Sequence, residues 1–404
     1  MNRKKIIIIG GGPAGLMAAD VLSPFHDVHI FDKEKNVGQK LLVAGKGGFN
    51  ITNSTQGDAL FCKYSPEYFL KNALNDFNPL ALRQWLLQMG VPSYTGTSGR
   101  IFPKIGIKTS EVLNKITHKL KAQNVDFHHN HEFIHFDKNQ NLIVKHNEKE
   151  ILLMADYFIF ALGGASWPVT GSTGLWRVLF EDIGIHTLPF EASNCGINIE
   201  WPVHVKLNHA GKPLKNIAVS INHTPVKGEA MITEYGLEGN AIYPIIPEIR
   251  KALSEIKPVH IILDLKPFNT TVQLQEKIIG KEIKSKDYAT VFNLNTVQLS
   301  IIKAFTSRES YLSPIQFANE LKHVVIPVNS LRPLEEAIST VGGIDLDEMN
   351  PDFSFKKYPK LFAIGEMLNW DAPTGGFLLQ ASFSMGHWVG KSILERERQA
   401  KLTF

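Results

Sequence analysis

The chain has 404 residues, 44% of them hydrophobic, so it can bury a large core and is long enough for roughly two to three domains. Its 43 Lys and Arg against 39 Asp and Glu give a net charge of +4, too small an excess to indicate a nucleic-acid-binding surface, and we expect no nucleic-acid partner. The only cysteines, Cys62 and Cys195, lie far apart in the sequence. They form neither a disulfide framework nor a cysteine-based zinc site, so we predict no metal site and a reducing, cytoplasmic environment.

The N-terminus superficially resembles a signal peptide, because basic residues precede an apolar run of isoleucines, Ile6–Ile9. Glycines and Pro13 interrupt that run almost at once, which a secretory segment does not tolerate, so we expect no export. No apolar stretch approaches the roughly 18 residues of a membrane-spanning helix, and we therefore predict a protein without a membrane partner.

The first 35 residues have the pattern of a strand, a glycine turn, a helix and a second strand. Lys5–Ile9 is apolar and β-branched, Leu16–Leu22 has helical spacing, and Val28–Phe31 is the second buried strand. This pattern predicts a βαβ unit, in which parallel strands are joined by a helix.

A G-x-G-x-x-G pattern occupies the turn of that unit, at Gly10, Gly12 and Gly15. Such glycines allow a tight turn, a close approach of the backbone to a pyrophosphate, and close packing of the helix on its strand. Asp32 ends the second strand at the distance where an acid accepts hydrogen bonds from ribose hydroxyls. The pattern predicts a dinucleotide site for FAD or NAD; the alternative is a plain strand-to-helix turn.

The rest of the chain alternates between the two kinds of element. Helical spacing returns at Pro79–Met89 and Ser110–Lys121, Phe127–Lys145 predicts antiparallel strands, and Tyr157–Ala161 predicts another buried strand. Short strands follow Pro189, and the stretch from Thr271 to Lys322 is helical and polar. The predicted domains are a split dinucleotide-binding domain at 1–189 and 331–404, a β-rich insert at 190–270 and 323–330, and a helical subdomain at 271–322.

Several long motifs resemble those of the HI0933-like, or YhiN-like, flavoproteins, also labelled the NAD(P)/FAD-dependent or aminoacetone oxidase family. They are GGGPAG at 10–15, VGQKLLVAGKGGFNITN at 37–53, GRIFP at 99–103, FALGGASWPVTGSTG at 160–174, VGGID at 341–345 and FAIGEMLNWDAPTGGFLLQASFSMGHWVG at 362–390. The resemblance implies an α/β fold: an FAD/NAD(P)-binding Rossmann-like, three-layer ββα domain with an inserted β-rich module and a small helical subdomain. It also implies FAD as the cofactor. The chain departs from the family at Gly45–Asn50, which lacks the arginine and the cysteine of a GGGRCN-like segment.

The resemblance implies a set of cofactor-binding residues along the adenosine–flavin path. Each segment could instead be structural, as a surface loop, a strand end or a capped turn. Asp371 to Gly376 lead into the last helix, whose N-terminus is expected to face the flavin N1 region and to stabilise negative charge there. The predicted cofactor-binding residues are Gly10, Gly12, Pro13, Ala14, Gly15, Asp32, Lys33, Lys40, Leu41, Gly45, Gly47, Gly48, Asn50, Gly163, Gly164, Gly365, Glu366, Asp371, Thr374, Gly375, Gly376 and Phe377.

Asn50, Arg100 and His387 are the predicted catalytic residues. Arg100 could bind an anionic substrate or pair with a structural carboxylate, and a lone helical histidine such as His387 is more often a packing residue. We expect an FAD-dependent oxidoreductase that acts on a small organic molecule by hydride transfer at flavin N5, since the flavin itself supplies the redox chemistry. The alternatives are a flavoprotein acting on RNA and a non-catalytic flavin- or NAD-binding regulator. Without a second G-x-G-x-x-G, NAD(P)H would act only as a transient electron donor.

Overall fold

The computed structural model describes residues 3–44, 48–67, 69–96, 98–221 and 224–402. It divides the chain into two compact units. Unit 1 comprises Met1–Glu191 and Ser339–Phe404, and unit 2 comprises Ala192–Ile338.

The strands alternate with helices along most of unit 1 and cluster within unit 2. In chain order the strands are β1 (Lys5–Ile9), β2 (Asp27–Asp32), β3 (Thr52–Asn53), β4 (Ser93–Thr95), β5 (Arg100–Pro103), β6 (Asp126–His129), β7 (Glu132–Phe136), β8 (Leu142–His146), β9 (Lys149–Leu153), β10 (Tyr157–Phe160), β11 (Thr187–Ser193), β12 (Ile197–Asn198), β13 (Pro213–Ser220), β14 (Val226–Ile232), β15 (Gly236–Glu238), β16 (Val259–Asp264), β17 (Val324–Val328), β18 (Ser330–Leu331), β19 (Ser339–Ile344) and β20 (Leu361–Ala363).

The helices range from single turns to one helix of seven turns at the C-terminus. In chain order the α-helices are α1 (Pro13–Leu22), α2 (Gln39–Ala44), α3 (Asp58–Phe61), α4 (Lys71–Asp76), α5 (Pro79–Gln88), α6 (Thr109–Ala122), α7 (Arg177–Glu181), α8 (Val203–His209), α9 (Ile246–Glu255), α10 (Thr271–Glu276), α11 (Tyr288–Val291), α12 (Thr296–Phe305), α13 (Arg308–Leu312), α14 (Pro314–Glu320) and α15 (Phe377–Leu402). Among the described residues, no helix is both long and apolar enough to cross a membrane.

A parallel sheet organises unit 1, with the strand order β20-β10-β1-β2-β6. Its central strand β1 is almost wholly apolar, and each residue of Ile6–Ile9 is at most 2% exposed. Strands buried on both faces are typical of parallel sheets that are covered by other elements on each side. Because all five strands run the same way, their carboxyl ends meet at one edge of the sheet.

The predicted antiparallel segment Phe127–Lys145 is only partly antiparallel. Its first residues belong to β6, which pairs in parallel with β2, so that His29 lies opposite Asp126 and Phe31 opposite His128. The antiparallel hairpin begins at Glu132, where β7 pairs with β8 and β8 with β9. A local alternation of apolar residues does not distinguish these pairings, since both parallel and antiparallel strands have a side-chain period of two.

Unit 2 is built on an antiparallel sheet in the order β17-β16-β13-β14-β15-β12-β18. Helices α8 to α14 pack with it in one hydrophobic core, which contains Ile261 of the sheet together with Leu274 and Ile301 of the helices. The residues predicted as a β-rich insert and as a helical subdomain therefore share a core. The unit also extends beyond residue 330, because β18 pairs with β12.

Candidate cofactor-binding site

A cavity of about 400 Å³ opens at the edge of unit 1 where the parallel strands end. Open α/β sheets bind ligands outside the carboxyl ends of their strands. The walls come from the segments that follow β1, β2, β6, β10 and β20, and from α2. The lining includes Gly10–Ala14, Asp32–Glu34, Gly38–Leu41, His131–Ile134, Ala161–Gly163, Thr170–Thr173, Trp176 and Ile364–Glu366.

The glycine turn after β1 forms one wall of the cavity, and its three fingerprint glycines have different surroundings. Gly10 has φ +105°, and a Cβ there would lie 2.3 Å from the carbonyl oxygen of Ala161. A Cβ at Gly15 would lie 2.2 Å from the carbonyl oxygen of Gly10, whereas a Cβ at Gly12 would meet nothing within 4 Å. Gly10 and Gly15 are therefore required by packing, while Gly12 leaves its backbone open to the cavity.

Helix α1 begins beside that open backbone. Gly12 is its N-cap, Pro13 occupies its first turn, and no side chain among the described residues caps it. The uncapped N–H groups and the positive end of the helix dipole favour an anion such as a phosphate at this point.

Asp32 ends β2 and lies beside the glycine turn that precedes α1. Its Oδ2 accepts a 2.7 Å hydrogen bond from the backbone N–H of Gly11, and its Oδ1 accepts one of 2.9 Å from that of Glu34. Burial raises the pKa of Asp32 above its usual range, while these two hydrogen bonds act in the opposite direction. The two bonds hold the carboxylate in one orientation and leave lone pairs for ribose hydroxyl donors.

Lys40 and Glu366 form an ion pair on the wall of the cavity. The Lys40 Nζ lies 2.6 Å from Oε2 of Glu366 and 2.7 Å from the hydroxyl of the buried Ser166. The other carboxylate oxygen of Glu366 accepts a 2.9 Å hydrogen bond from the backbone N–H of Thr340. Gly164 is required beside this group, because a Cβ there would lie 2.1 Å from the Thr340 hydroxyl oxygen.

The loop that leads into α15 lies against the strand β3. Asn53 donates a 3.1 Å hydrogen bond to the carbonyl oxygen of Gly375, and a Cβ at Gly376 would lie 2.4 Å from the backbone of Thr52. Arg100 is also close, since a Cβ at Gly375 would lie 3.8 Å from its Nε. Nearby in sequence, Asn50 has a buried side-chain oxygen without a hydrogen-bond partner among the described residues.

The structure brings many of the predicted residues together but not all of them. Gly45 and Gly47 lie outside the described residues. The predicted residues that line the cavity are Gly10, Gly12, Pro13, Ala14, Asp32, Lys33, Lys40, Leu41, Gly163, Gly365 and Glu366. Those that support its walls or belong to neighbouring segments are Gly15, Gly48, Asn50, Arg100, Gly164, Asp371, Thr374, Gly375, Gly376 and Phe377.

His387 is not among the residues that line the cavity. Its Nδ1 lies 2.9 Å from Oδ2 of Asp76, and its ring stacks on Phe77 with a centroid distance of 4.6 Å. Burial lowers the pKa of His387, and Asp76 partly offsets that effect. These contacts join His387 of α15 to the end of α4 and to the residue that follows it.

The sequence motifs do not predict four residues that line the cavity or hold its ion pair. His131 and Trp176 line the cavity, and the indole of Trp176 donates a 3.0 Å hydrogen bond to the carbonyl oxygen of Gly163. Ser166 and Thr340 hold Lys40 and Glu366. Ser166 lies within the family motif at 160–174, so its position in that motif is a signal in the sequence. His131, Trp176 and Thr340 lie outside the family motifs and have no such signal.

Together these features fit a bound dinucleotide. The open backbone at Gly12 and the uncapped start of α1 suit a pyrophosphate, and Asp32 suits the adenosine ribose. The unpartnered buried oxygen of Asn50 is a further acceptor in the segment predicted to lie beside the flavin.

Comparisons with known proteins agree with this geometry. A family model described as the HI0933-like protein Rossmann domain matches residues 4–392. A 3-dehydro-bile acid delta(4,6)-reductase of Clostridium scindens is 26% identical, with 98% of this chain and all of that protein covered. A ribosomal RNA dihydrouridine synthase of Escherichia coli is 22% identical, with 95% of this chain and 96% of that protein covered.

A solved structure shares the fold at low sequence identity. The 3-ketosteroid-delta4-(5alpha)-dehydrogenase of Rhodococcus jostii has a TM-score of 0.53 at 13% identity, with 96% of each chain covered. The predicted Rossmann-like fold is confirmed by the family match and by this likeness.

Proposed function

The chain belongs to the HI0933-like family, as its motifs predict, and on that premise we propose that it is an FAD-dependent oxidoreductase that saturates an activated carbon–carbon double bond. The observation that carries the proposal is the cavity, which unites the open backbone of Gly12, the carboxylate of Asp32 and the ion pair of Lys40 and Glu366. The substrate is a small organic molecule whose double bond is conjugated with a carbonyl group.

Residues of this chain would bind and orient the cofactor. The start of α1 would bind the pyrophosphate, Asp32 would accept hydrogen bonds from the ribose, and the loop 371–376 would follow the flavin ring. FAD bound in this way supplies hydride transfer at its N5 atom. The protein contributes position, electrostatics and the exclusion of water.

The reaction class is supported by what two relatives share. The names of the 3-dehydro-bile acid delta(4,6)-reductase and the ribosomal RNA dihydrouridine synthase both describe saturation of a carbon–carbon double bond. In a 3-oxo-4,6-diene and in uracil, that double bond is conjugated with a carbonyl group. Saturation adds a hydride to the β carbon and a proton to the α carbon. A dihydronicotinamide nucleotide, NADH or NADPH, would return the two electrons to the protein.

Arg100 is the proposed contact for the substrate carbonyl. Its Nε approaches Gly375 in the loop that leads into α15. The guanidinium group is always charged and donates hydrogen bonds in a fixed fork, so it can stabilise negative charge that develops on a carbonyl oxygen. Replacement of Arg100 by Lys would keep the charge but lose the fork.

The first test is spectroscopic. The purified protein is expected to show oxidised-flavin absorption, and anaerobic addition of NADH or NADPH is expected to bleach it. Reoxidation of the bleached flavin by a 3-oxo-4,6-diene bile acid, but not by uridine-containing ribosomal RNA, would support the small-molecule substrate class.

Three outcomes would contradict the proposal. A colourless protein that cannot be reconstituted with FAD would overturn the cofactor assignment. Reoxidation by the RNA alone would replace the small molecule by a uracil base. A flavin that no donor reduces would favour a non-catalytic protein.

A further inference from the structure

The same three-residue pattern, Asp-x-His, occurs on two neighbouring strands of the parallel sheet. β2 begins Asp27-Val28-His29, and β6 begins Asp126-Phe127-His128. Alternate residues of a strand face the same side of the sheet, so each pattern places an aspartate and a histidine on one face. The two strands are directly paired, with His29 opposite Asp126.

Two donor atoms on β6 lie close to Nδ1 of His29 on β2. His29 Nδ1 lies 3.2 Å from His128 Nε2 and 3.5 Å from Oδ2 of Asp126. A zinc ion bound at 2.0–2.2 Å from nitrogen and oxygen donors holds them about 3.3 to 3.5 Å apart when the coordination is tetrahedral. The two separations measured from Nδ1 of His29 match that spacing.

Two further contacts fix the histidines in position. The remaining ring nitrogen of His29, Nε2, lies 3.2 Å from Oδ2 of Asp27. Metal-bound histidines usually donate their second N–H to such a carboxylate, which sets the tautomer and the ring orientation. The ring of His128 is stacked on Phe31, with centroids 4.2 Å apart and an angle of 9° between the planes.

We propose that this edge of the sheet is a binding site for Zn²⁺ or a similar divalent transition metal. The ligands are His29 Nδ1, His128 Nε2 and Asp126 Oδ2, and Asp27 orients His29. Imidazole and carboxylate donors suit zinc, copper, nickel and cobalt better than they suit magnesium or calcium. The fourth position is open to water, since the side chain of Asp126 is 65% exposed.

The bound ion would clamp an edge strand. β6 is the last strand of its sheet and is held there by its pairing with β2 alone among the described strands. Ligands from both strands would add a cross-link between β2 and β6. This inference does not depend on the proposed enzymatic reaction.

The competing interpretation is a metal-free cluster in which His29 pairs with the two aspartates. Both interpretations use the same residues, so metal binding distinguishes them. The probe is Co²⁺, added to the full-length protein with its flavin content recorded, followed by Zn²⁺ as a competitor. The protein is first treated with a chelator and desalted.

Four variants distinguish the loss of a proposed ligand from a change in a neighbouring residue. H128F keeps an aromatic ring to stack on Phe31 but removes the nitrogen donor, and H29Q removes the other imidazole. D27N leaves the three ligands intact and changes only the orienting carboxylate. H146Q is the matched control, because His146 is a histidine of the same domain that stacks on His131 outside the cluster.

We expect one equivalent of Co²⁺ to bind with the visible d–d bands of a four- or five-coordinate site, and Zn²⁺ to displace it. H29Q and H128F should each lower the affinity at least 100-fold, D27N should lower it about 10-fold, and H146Q should not change it. Circular dichroism of each variant verifies the fold. Absence of stoichiometric binding by the wild-type protein, or equal binding by H29Q and H128F, would overturn the proposal.

Discussion

The two ends of strand β2 differ in how their chemistry is encoded. At the carboxyl end, Asp32 meets the backbone of Gly11 and faces a cavity that a local motif predicts. Nearer the amino end, His29 acquires its partners Asp126 and His128 from β6, almost a hundred residues away along the chain. A local sequence motif is enough to predict a binding site whose ligand contacts consecutive backbone atoms. A site formed by side chains of different strands can be predicted only when the register of those strands is known.

The largest expected effect is at the carboxyl end, for G10A. The new Cβ would collide with the Ala161 carbonyl oxygen, and Gly10 has a φ that an alanine rarely adopts. We expect the free energy of unfolding to fall by about 3 kcal/mol and the flavin to be lost. Urea unfolding and flavin absorbance measure the two effects.

The matched variant is G12A, which has no neighbour within 4 Å of the new methyl group. It should unfold within about 0.5 kcal/mol of the wild type while its affinity for FAD falls more than about 10-fold, because the methyl group occupies the approach of the pyrophosphate. Equal loss of stability in both variants would contradict the distinction between a packing glycine and a ligand-facing one.

A smaller effect is expected for K40M. The substitution leaves the largely buried carboxylate of Glu366 without its cation, beside the site of an anionic cofactor. We expect the dissociation constant for FAD to rise about 10-fold, equivalent to about 1.4 kcal/mol. Titration followed by flavin fluorescence measures it.

The double variant K40M/E366Q tests the cause, since it removes both charges and should recover part of the affinity. K33M is the control, because Lys33 also lines the cavity but forms no ion pair among the described residues; its Nζ lies 3.5 Å from the Thr173 hydroxyl. No recovery in the double variant would show that Lys40 binds FAD directly instead of neutralising Glu366.

His387 should affect stability and its pH dependence rather than cofactor binding. Burial lowers its pKa below the ordinary 6.5, so the neutral form is favoured in the folded protein and stability is lost as the pH falls below 6.5. H387N should cost about 1 kcal/mol at pH 8 through the lost contact with Asp76 and should weaken this acid dependence. Urea unfolding at pH 8 and pH 5.5 measures both, and a loss of turnover at unchanged stability would instead support the predicted catalytic role.

The smallest effect on the cofactor is expected at the amino end of β2. H29Q should change FAD affinity by less than about twofold, since His29 is not among the residues that line the cavity. The same fluorescence titration measures it. A large change in FAD affinity would show that the two ends of β2 are energetically coupled, and would contradict their description as independent sites.

Much of the first βαβ unit could be predicted from the sequence. The predicted strand Lys5–Ile9 has the bounds of β1, and the predicted helix is the later part of α1. Apolar periodicity and glycine spacing are local properties, and local patterns predict local elements. The pairing of β6 could not be predicted, because strand register depends on packing across the sheet.

The site shows the same division. Asp32, Lys40 and Glu366 were predicted from motifs, and they line one cavity. Ser166 and Thr340, which hydrogen-bond to Lys40 and Glu366, were not predicted. A hydroxyl that holds an ion pair has no distinctive spacing in the chain. The predicted absence of a metal site rested on cysteine spacing, and that argument does not consider histidines and aspartates on separate strands.

The sequence by itself determined the family, the dinucleotide fingerprint and the strand-helix-strand order that carries it. These follow from contiguous residues whose backbone conformation and periodicity are set within a few positions. Only the tertiary structure decided that Lys40 meets Glu366, that His387 packs on Phe77, and that His29 meets His128. Each of these contacts joins distant segments, so it exists only after the sheet and its helices have brought those segments together.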